Sequence, residues 1–219
     1  MGDGTSIEWT DATWNPIRGC SRVSEGCRNC YAERVASRFS GPGQPYYGLA
    51  KRTAKGPAWT GKVTLVPEHM TDPLKWKRPR RIFVNSMSDL FHEGLEDREI
   101  HHVLTVMASA TWHRFQVLTK RPDRMASYLL SIGAAITLLP HVWWGTSVEN
   151  QEVAGDRLDA LLSIPSPNLW VSAEPLLGPL NLGRWMHDGP RLGWVGWVVV
   201  GGESGPGARP MDVAWAMAL

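Results

Sequence analysis

Three observations in the 219-residue sequence predict an α/β fold assembled from six β/α units. From residue 81 onward, five short β-branched or aromatic runs recur, each ending in polar residues. Stretches with helical apolar spacing separate the runs, and strands alternating with helices pair in parallel through right-handed crossovers, since hairpins need short turns that are absent here. Six such units make either an open doubly wound sheet or a partial TIM-like barrel, which periodicity does not separate. The third observation favours the barrel: nearly every strand ends in groups able to bind something, and carboxyl strand ends form the working face of parallel α/β proteins.

In chain order, residues 13–17 read as a first short strand, and residues 31–39 as a helix after a group of cysteines. Residues 40–81 are rich in Gly, Pro, Lys and Arg and read as an insertion, lid or binding loop. A strand over 81–85 ends in Asn85, Ser86, Ser88 and Asp89. The helix over 97–111 carries Ile100, Val103, Leu104, Val106 and Met107 on one face and acidic residues at its start. A strand over 114–119 ends in Thr119 and Lys120, and helical spacing follows over 122–131. The strand over 141–145 leads to Thr146, Ser147, Glu149 and Asn150, ahead of a helix over 151–163. Strands over 168–172 and 194–200 lead to Ser172 and Glu174 and to Glu203 and Ser204. A helix-like run over 212–219 begins and stops, which predicts a very short last helix or a truncated C terminus.

Composition narrows the class. With 43% hydrophobic residues the chain can build a real core, as one domain over 1–219 with its insertion at 40–81. A formal net charge of +2 demands neither a nucleic acid nor a membrane. The longest apolar stretch, over 132–144, is broken and too short to span a bilayer, and the polar start has no signal-peptide core. The expected location is the cytoplasm, where thiols stay reduced.

All three cysteines of the chain, Cys20, Cys27 and Cys30, fall in one C-x6-C-x2-C segment. Thiolates are soft ligands for zinc or iron. A structural zinc needs four ligands, and the nearest His in sequence is His69, so zinc requires a distant partner. Three thiolates on a [4Fe–4S] cluster leave one iron open for a substrate. Buried unligated cysteines and zinc with a remote His remain the alternatives.

The cysteine loop between a first strand and a helix, followed by further β/α units, resembles the radical S-adenosylmethionine superfamily. Asn15-Pro-Ile-Arg-Gly-Cys20 and Cys27-Arg-Asn-Cys-Tyr-Ala-Glu33 are similar to its spore photoproduct lyase branch. Ser6-Ile-Glu-Trp-Thr-Asp-Ala-Thr-Trp-Asn-Pro16, the cysteine block, Asn85-Ser-Met-Ser-Asp89, Leu118-Thr-Lys-Arg-Pro122, Trp144-Gly-Thr-Ser-Val-Glu-Asn150, Ser172-Ala-Glu-Pro-Leu-Leu177 and Gly201-Gly-Glu-Ser-Gly205 resemble a phage and prophage three-cysteine-motif family of unassigned function. The first resemblance implies a partial (β/α)6 TIM-like barrel of the radical S-adenosylmethionine type, with Cys20, Cys27 and Cys30 as cluster ligands. It also implies S-adenosylmethionine on the open iron, a 5′-deoxyadenosyl radical as the hydrogen abstractor, and a reducing partner such as a flavodoxin or ferredoxin. Two features depart from that superfamily: its usual spacing is C-x3-C-x2-C, and its Gly-Gly-Glu motif follows the second strand, whereas Gly201-Gly-Glu203 follows the sixth here.

Within this frame Ser86, Ser88 and Asp89 are candidates for the methionine end of the cofactor, and Ser147, Glu149 and Asn150 for its ribose. Helix capping explains Ser86, Asp89, Ser147, Glu149 and Asn150 equally well. Glu174 is a site residue or half of an ion pair with Lys120 or Arg121, and Lys120 and Glu203 complete the cofactor-binding candidates. Basic clusters at 51–81 and 120–121, interleaved with Trp59 and Trp76, suit DNA or RNA, with a solvated basic loop as the plainer reading. Three functions compete: a radical enzyme acting on a nucleic acid or nucleoside, a zinc-binding non-catalytic nucleic-acid-binding protein, and a degenerate barrel that binds a partner.

Overall fold

The computed structural model describes residues 5–133, 139–186 and 194–219, so positions 134–138 of the apolar stretch over 132–144 lie outside the described residues. The chain opens with β1 (Ala12–Trp14), β2 (Ile17–Arg18), the 3-10 turn Glu25–Cys27 and α1 (Tyr31–Arg38). Next come β3 (Ala50–Thr53), β4 (Gly56–Trp59), β5 (Thr64–Leu65), α2 (Pro67–Met70) and α3 (Asp72–Lys75). The repeating part holds β6 (Arg81–Val84), α4 (Asp97–Ser109), β7 (Arg114–Thr119), α5 (Pro122–Ser131), β8 (Val142–Ser147), α6 (Gln151–Leu162), β9 (Leu169–Ala173), β10 (Val195–Val200) and α7 (Val213–Met217).

The fold is mixed α/β with a central parallel sheet of six strands in the order β1-β6-β7-β8-β9-β10. The expected strand and helix positions are met within a few residues, and what sequence left as one strand over 13–17 is two, with β2 leaving the sheet to pair antiparallel with β5. The chain forms two compact units, Met1–Val23 with Cys30–Val117 and Ser24–Asn29 with Leu118–Leu219.

In the first unit, β1 and β6 pair in register from Ala12 with Ile82 to Trp14 with Val84, and β6 pairs in turn with β7. Trp14, Ile82 and Phe115 are fully buried there, and α4 lays Ile100, Val103, Leu104 and Met107 into the core. Its start is fixed by a capping box in which Glu96 and Glu99 each accept from the other's backbone N–H, which explains the acidic first turn. The insertion is folded: β3 and β4 form an antiparallel hairpin, packed on α1 around Ala36, Tyr46, Leu49 and Ala50 with Trp59 against them.

In the second unit, β9 is buried along its whole length between β8 and β10. Tryptophan fills much of this core: Trp144 and Trp170 are fully buried, and Trp197 stacks on Trp170 with ring centroids 4.6 Å apart. Gly145 sits under the Trp170 indole, where any Cβ would collide with the ring, so glycine in mid-strand is a packing requirement. Among the described residues no helix is long and apolar enough to cross a membrane.

Candidate metal and cofactor site

Not one residue from Cys20 to Cys30 is buried, so the cysteine loop adds little to the hydrophobic core. Polar contacts hold it instead. In the first unit, Ser21 Oγ lies 2.9 Å from His92 Nε2 and donates to Glu93 at 3.0 Å. His92 Nδ1 accepts from the Gly94 N–H, so Nε2 carries the proton toward Ser21. Arg22 forms a forked ion pair with the buried Glu33 of α1, and Glu33 also accepts from the Trp59 N–H at 2.7 Å. The Cys-Tyr-Ala-Glu33 stretch thus joins a cysteine to the carboxylate that ties its loop to the β4 strand.

The residues after β6 lock onto the approach to the same loop. Asn15 exchanges hydrogen bonds with Ser86 Oγ and accepts from the Met87 N–H, while Tyr31 donates to the Ser86 carbonyl. Ser88 Oγ donates to the Ile17 carbonyl, and Asp89 accepts from the Phe91 N–H two residues on. The side chains of Ser88 and Asp89 thus already serve the backbone, and that of Ser86 serves Asn15. Beside them stands Asn85, 2% exposed with φ 60. Its backbone is satisfied by Trp14 and Ser88, yet neither Nδ2 nor Oδ1 has a hydrogen-bond partner among the described residues. A buried amide left with both a donor and an acceptor unmet is costly, and such groups mark strained or ligand-binding positions.

In the second unit the loop residues Ser24–Asn29 are held by two carboxylates. Glu149, 1% exposed, accepts from Arg157 Nη1 at 2.6 Å and from the Gly26 N–H at 3.3 Å. Burial pushes the Glu149 carboxyl up, but the charge of Arg157, hydrogen bonding and the charge of Lys120 together outweigh it and leave it below its ordinary value. A Cβ at Gly26 would stand 3.0 Å from that carboxylate, so glycine allows the close approach. Glu203 accepts from Asn29 Nδ2 at 2.8 Å and from Arg209 through its backbone N–H, Nε and Nη2. Hydrogen bonds from Arg209 first, then from Asn29, bring Glu203 down to about 2. Arg209 also donates to the Glu25 carbonyl and carboxylate.

These contacts sort the remaining candidates. Asn150 caps α6 by accepting from the Val153 N–H, and Ser147 is buried with its carbonyl on Arg157. Glu149 and Glu203 are ion-paired to Arg157 of α6 and to Arg209, neither of which stood out in the sequence. Glu174 differs. It is exposed at the end of β9, its carboxylate makes no hydrogen bond or close ion pair among the described residues, and Gly201 lies against it. The surrounding protein raises its pKa by desolvation, opposed by the charge of half-buried Lys120.

The three cysteines are half-buried and none is in a disulfide. Among the described residues no three His, Cys, Asp or Glu side chains converge on one position that could hold a metal ion. Three soft thiols on one loop are donors that zinc or iron takes, a single zinc needing a fourth ligand from elsewhere. The donor type, three thiols on one loop, suits a multi-iron cluster, whose thiolates bind separate irons.

No curated protein and no solved structure matches this chain. A family model described as "Protein of unknown function (DUF5131)" matches residues 4–219, and the chain belongs to that family.

Proposed function

We propose that this protein is a [4Fe–4S]- and S-adenosylmethionine-dependent radical enzyme whose substrate is a nucleic acid or nucleoside. One observation carries the reading: an 11-residue loop without a buried residue is nonetheless fixed by Glu33, Glu149, Glu203 and His92, and what it presents is three thiols. Ordering that loop costs about 1–2 kcal/mol per residue with no core gained in return, which makes sense for a loop kept for its ligands. Strand order supports the expected partial barrel, because six parallel strands follow one another without the reversal that defines a doubly wound sheet.

Cys20, Cys27 and Cys30 would hold the cluster; Asn85 in the first unit and Glu174 in the second each keep polar capacity that a group of the cofactor would meet. When bound, such a cluster would supply one-electron reduction of S-adenosylmethionine and hence radical hydrogen abstraction from substrate, with a flavodoxin- or ferredoxin-class protein as the electron donor. The chain's own task is to position and to exclude water. Arg157 and Arg209 keep Glu149 and Glu203 ionised, so both tethers of the Ser24–Asn29 segment persist at neutral pH. A cytoplasmic location fits a site built on free thiols.

Anaerobic reconstitution followed by iron, sulfide and zinc analysis tests the proposal. About four irons and four sulfides per chain are expected, falling to the background in a Cys20→Ser, Cys27→Ser, Cys30→Ser variant. One zinc per chain with no sulfide would overturn the proposal in favour of a metal-stabilised binding protein.

A further inference from the structure

The positive charge of the chain is concentrated in and just before the insertion of the first unit. Residues 34–67 hold six of the 23 Lys and Arg, namely Arg34, Arg38, Lys51, Arg52, Lys55 and Lys62, and none of the 21 Asp and Glu, so a chain of net charge +2 is +6 here and −4 elsewhere. Part of that charge surrounds an open pocket of about 440 Å³, lined by Arg38, Lys51 and Arg52 together with Ser37, Ser40 and Gln44. No carboxylate lines it, and Arg38, Lys51 and Arg52 make no ion pair among the described residues. Arg52 Nε donates to the Ser37 carbonyl at 3.4 Å, which orients the guanidinium and leaves its terminal nitrogens uncommitted.

Two aromatic residues close in sequence to the lining residues face solvent. Phe39, which follows Arg38, is 48% exposed, and Tyr47, whose N–H donates to the Gln44 carbonyl, is 63% exposed. Neither is loose. The Tyr46 N–H donates to the Phe39 carbonyl at 3.0 Å, and Tyr46 and Leu49 turn inward onto Ala36 and Ala50. The loop thus spends its inward apolar residues on packing and still presents two large rings outward, an arrangement that packing alone does not require.

We propose that this face binds single-stranded nucleic acid, with a backbone phosphate seated among Arg38, Lys51 and Arg52 and bases stacked on Phe39 and Tyr47. Guanidinium and ammonium groups recognise phosphate oxygens, hydroxyls such as that of Ser40 add donors, and aromatic platforms accept any base. A duplex keeps its bases stacked inside and offers the rings nothing; an acidic peptide meets the cations and leaves the rings unused. The inference deepens the substrate half of the function proposed above, and its test does not depend on the cluster.

Fluorescence anisotropy with labelled single-stranded DNA and RNA of about 12 nucleotides, the matching duplex and polyglutamate reads it directly. Both single strands are expected to bind more tightly than the duplex or polyglutamate. Lys51→Ala with Arg52→Ala should weaken binding about tenfold and make the slope of log affinity against log salt shallower by about 1.4. Tyr47→Ala should weaken it about fivefold or more with the salt slope unchanged, and the triple cysteine variant should bind as the parent does. These residues are exposed, so circular dichroism should show every variant folded. Absence of binding, equal affinity for duplex or polyglutamate, or parent-like binding by the Lys51 and Arg52 variant would overturn the inference, whatever the metal analysis finds.

Discussion

The second unit ends β8, β9 and β10 in three carboxylates treated in two different ways. Glu149 after β8 and Glu203 after β10 are each closed by an arginine and each grip the cysteine loop, at Gly26 and at Asn29. Glu174 after β9, between them in strand order, has no such partner and is raised where the others are lowered. Position at a strand end thus does not by itself make a ligand. What separates a tether from a ligand candidate is whether the protein has already met the group's charge and hydrogen bonds.

The largest effect that would sharpen this contrast is on Glu149. Arg157→Met leaves a buried carboxylate without its counter-charge, and a loss of about 3–5 kcal/mol in urea unfolding is expected. A loss below about 1 kcal/mol would mean that the pair is not the keystone of the β8 end.

Glu203 comes next, and its effect is written in pH. Its folded pKa of about 2 lies below the ordinary 4.5. The stability it confers is therefore complete above pH 4.5 and is lost as pH falls toward about 2. Arg209→Ala should remove most of that acid dependence and destabilise the protein by about 1–3 kcal/mol at pH 7. Unfolding curves for parent and variant between pH 2 and pH 6 check both, and parallel pH profiles would break the assignment.

Glu174 should respond in the opposite sense. Glu174→Gln removes a desolvated charge that has no close ion-pair partner among the described residues, so stability should stay within about 0.5 kcal/mol or rise. Binding of S-adenosylmethionine to reconstituted protein should fall about tenfold or more, as calorimetry would show. Marked destabilisation with cofactor binding intact would place Glu174 with the tethers.

The smallest change concerns Asn85. A glycine there relieves the left-handed backbone at φ 60 and deletes the unpartnered amide, so Asn85→Gly should shift stability by about 1 kcal/mol or less in either direction. Cofactor affinity should drop all the same, which a thermal shift with and without S-adenosylmethionine measures.

Much of the fold was legible because it rests on local patterns. Ile100, Val103, Leu104 and Met107 announce α4 and its buried face, and the β-branched runs announce β6 to β10. The insertion was less legible, since hairpin pairing of Lys51 with Ala58 leaves no apolar alternation along β3. At the candidate site, the motifs around Cys20, Asn85, Glu149 and Glu203 pointed to segments that carry the polar contacts described above. Their roles could not be read, because a tether is defined by its partner: Arg209 meets Glu25 across 184 residues, and Asn29 meets Glu203 across 174. Arg157 was hidden for another reason, as an arginine on α6 reads as surface until the helix turns it inward.

The central claim is that the cysteine loop carries a cluster with one open iron. An EPR spectrum of the reduced, reconstituted protein, recorded with and without S-adenosylmethionine, tests it most directly. A [4Fe–4S] signal whose g values shift when S-adenosylmethionine is added is the expected result. A protein without a cluster signal, or with one that S-adenosylmethionine leaves unchanged, would contradict the claim.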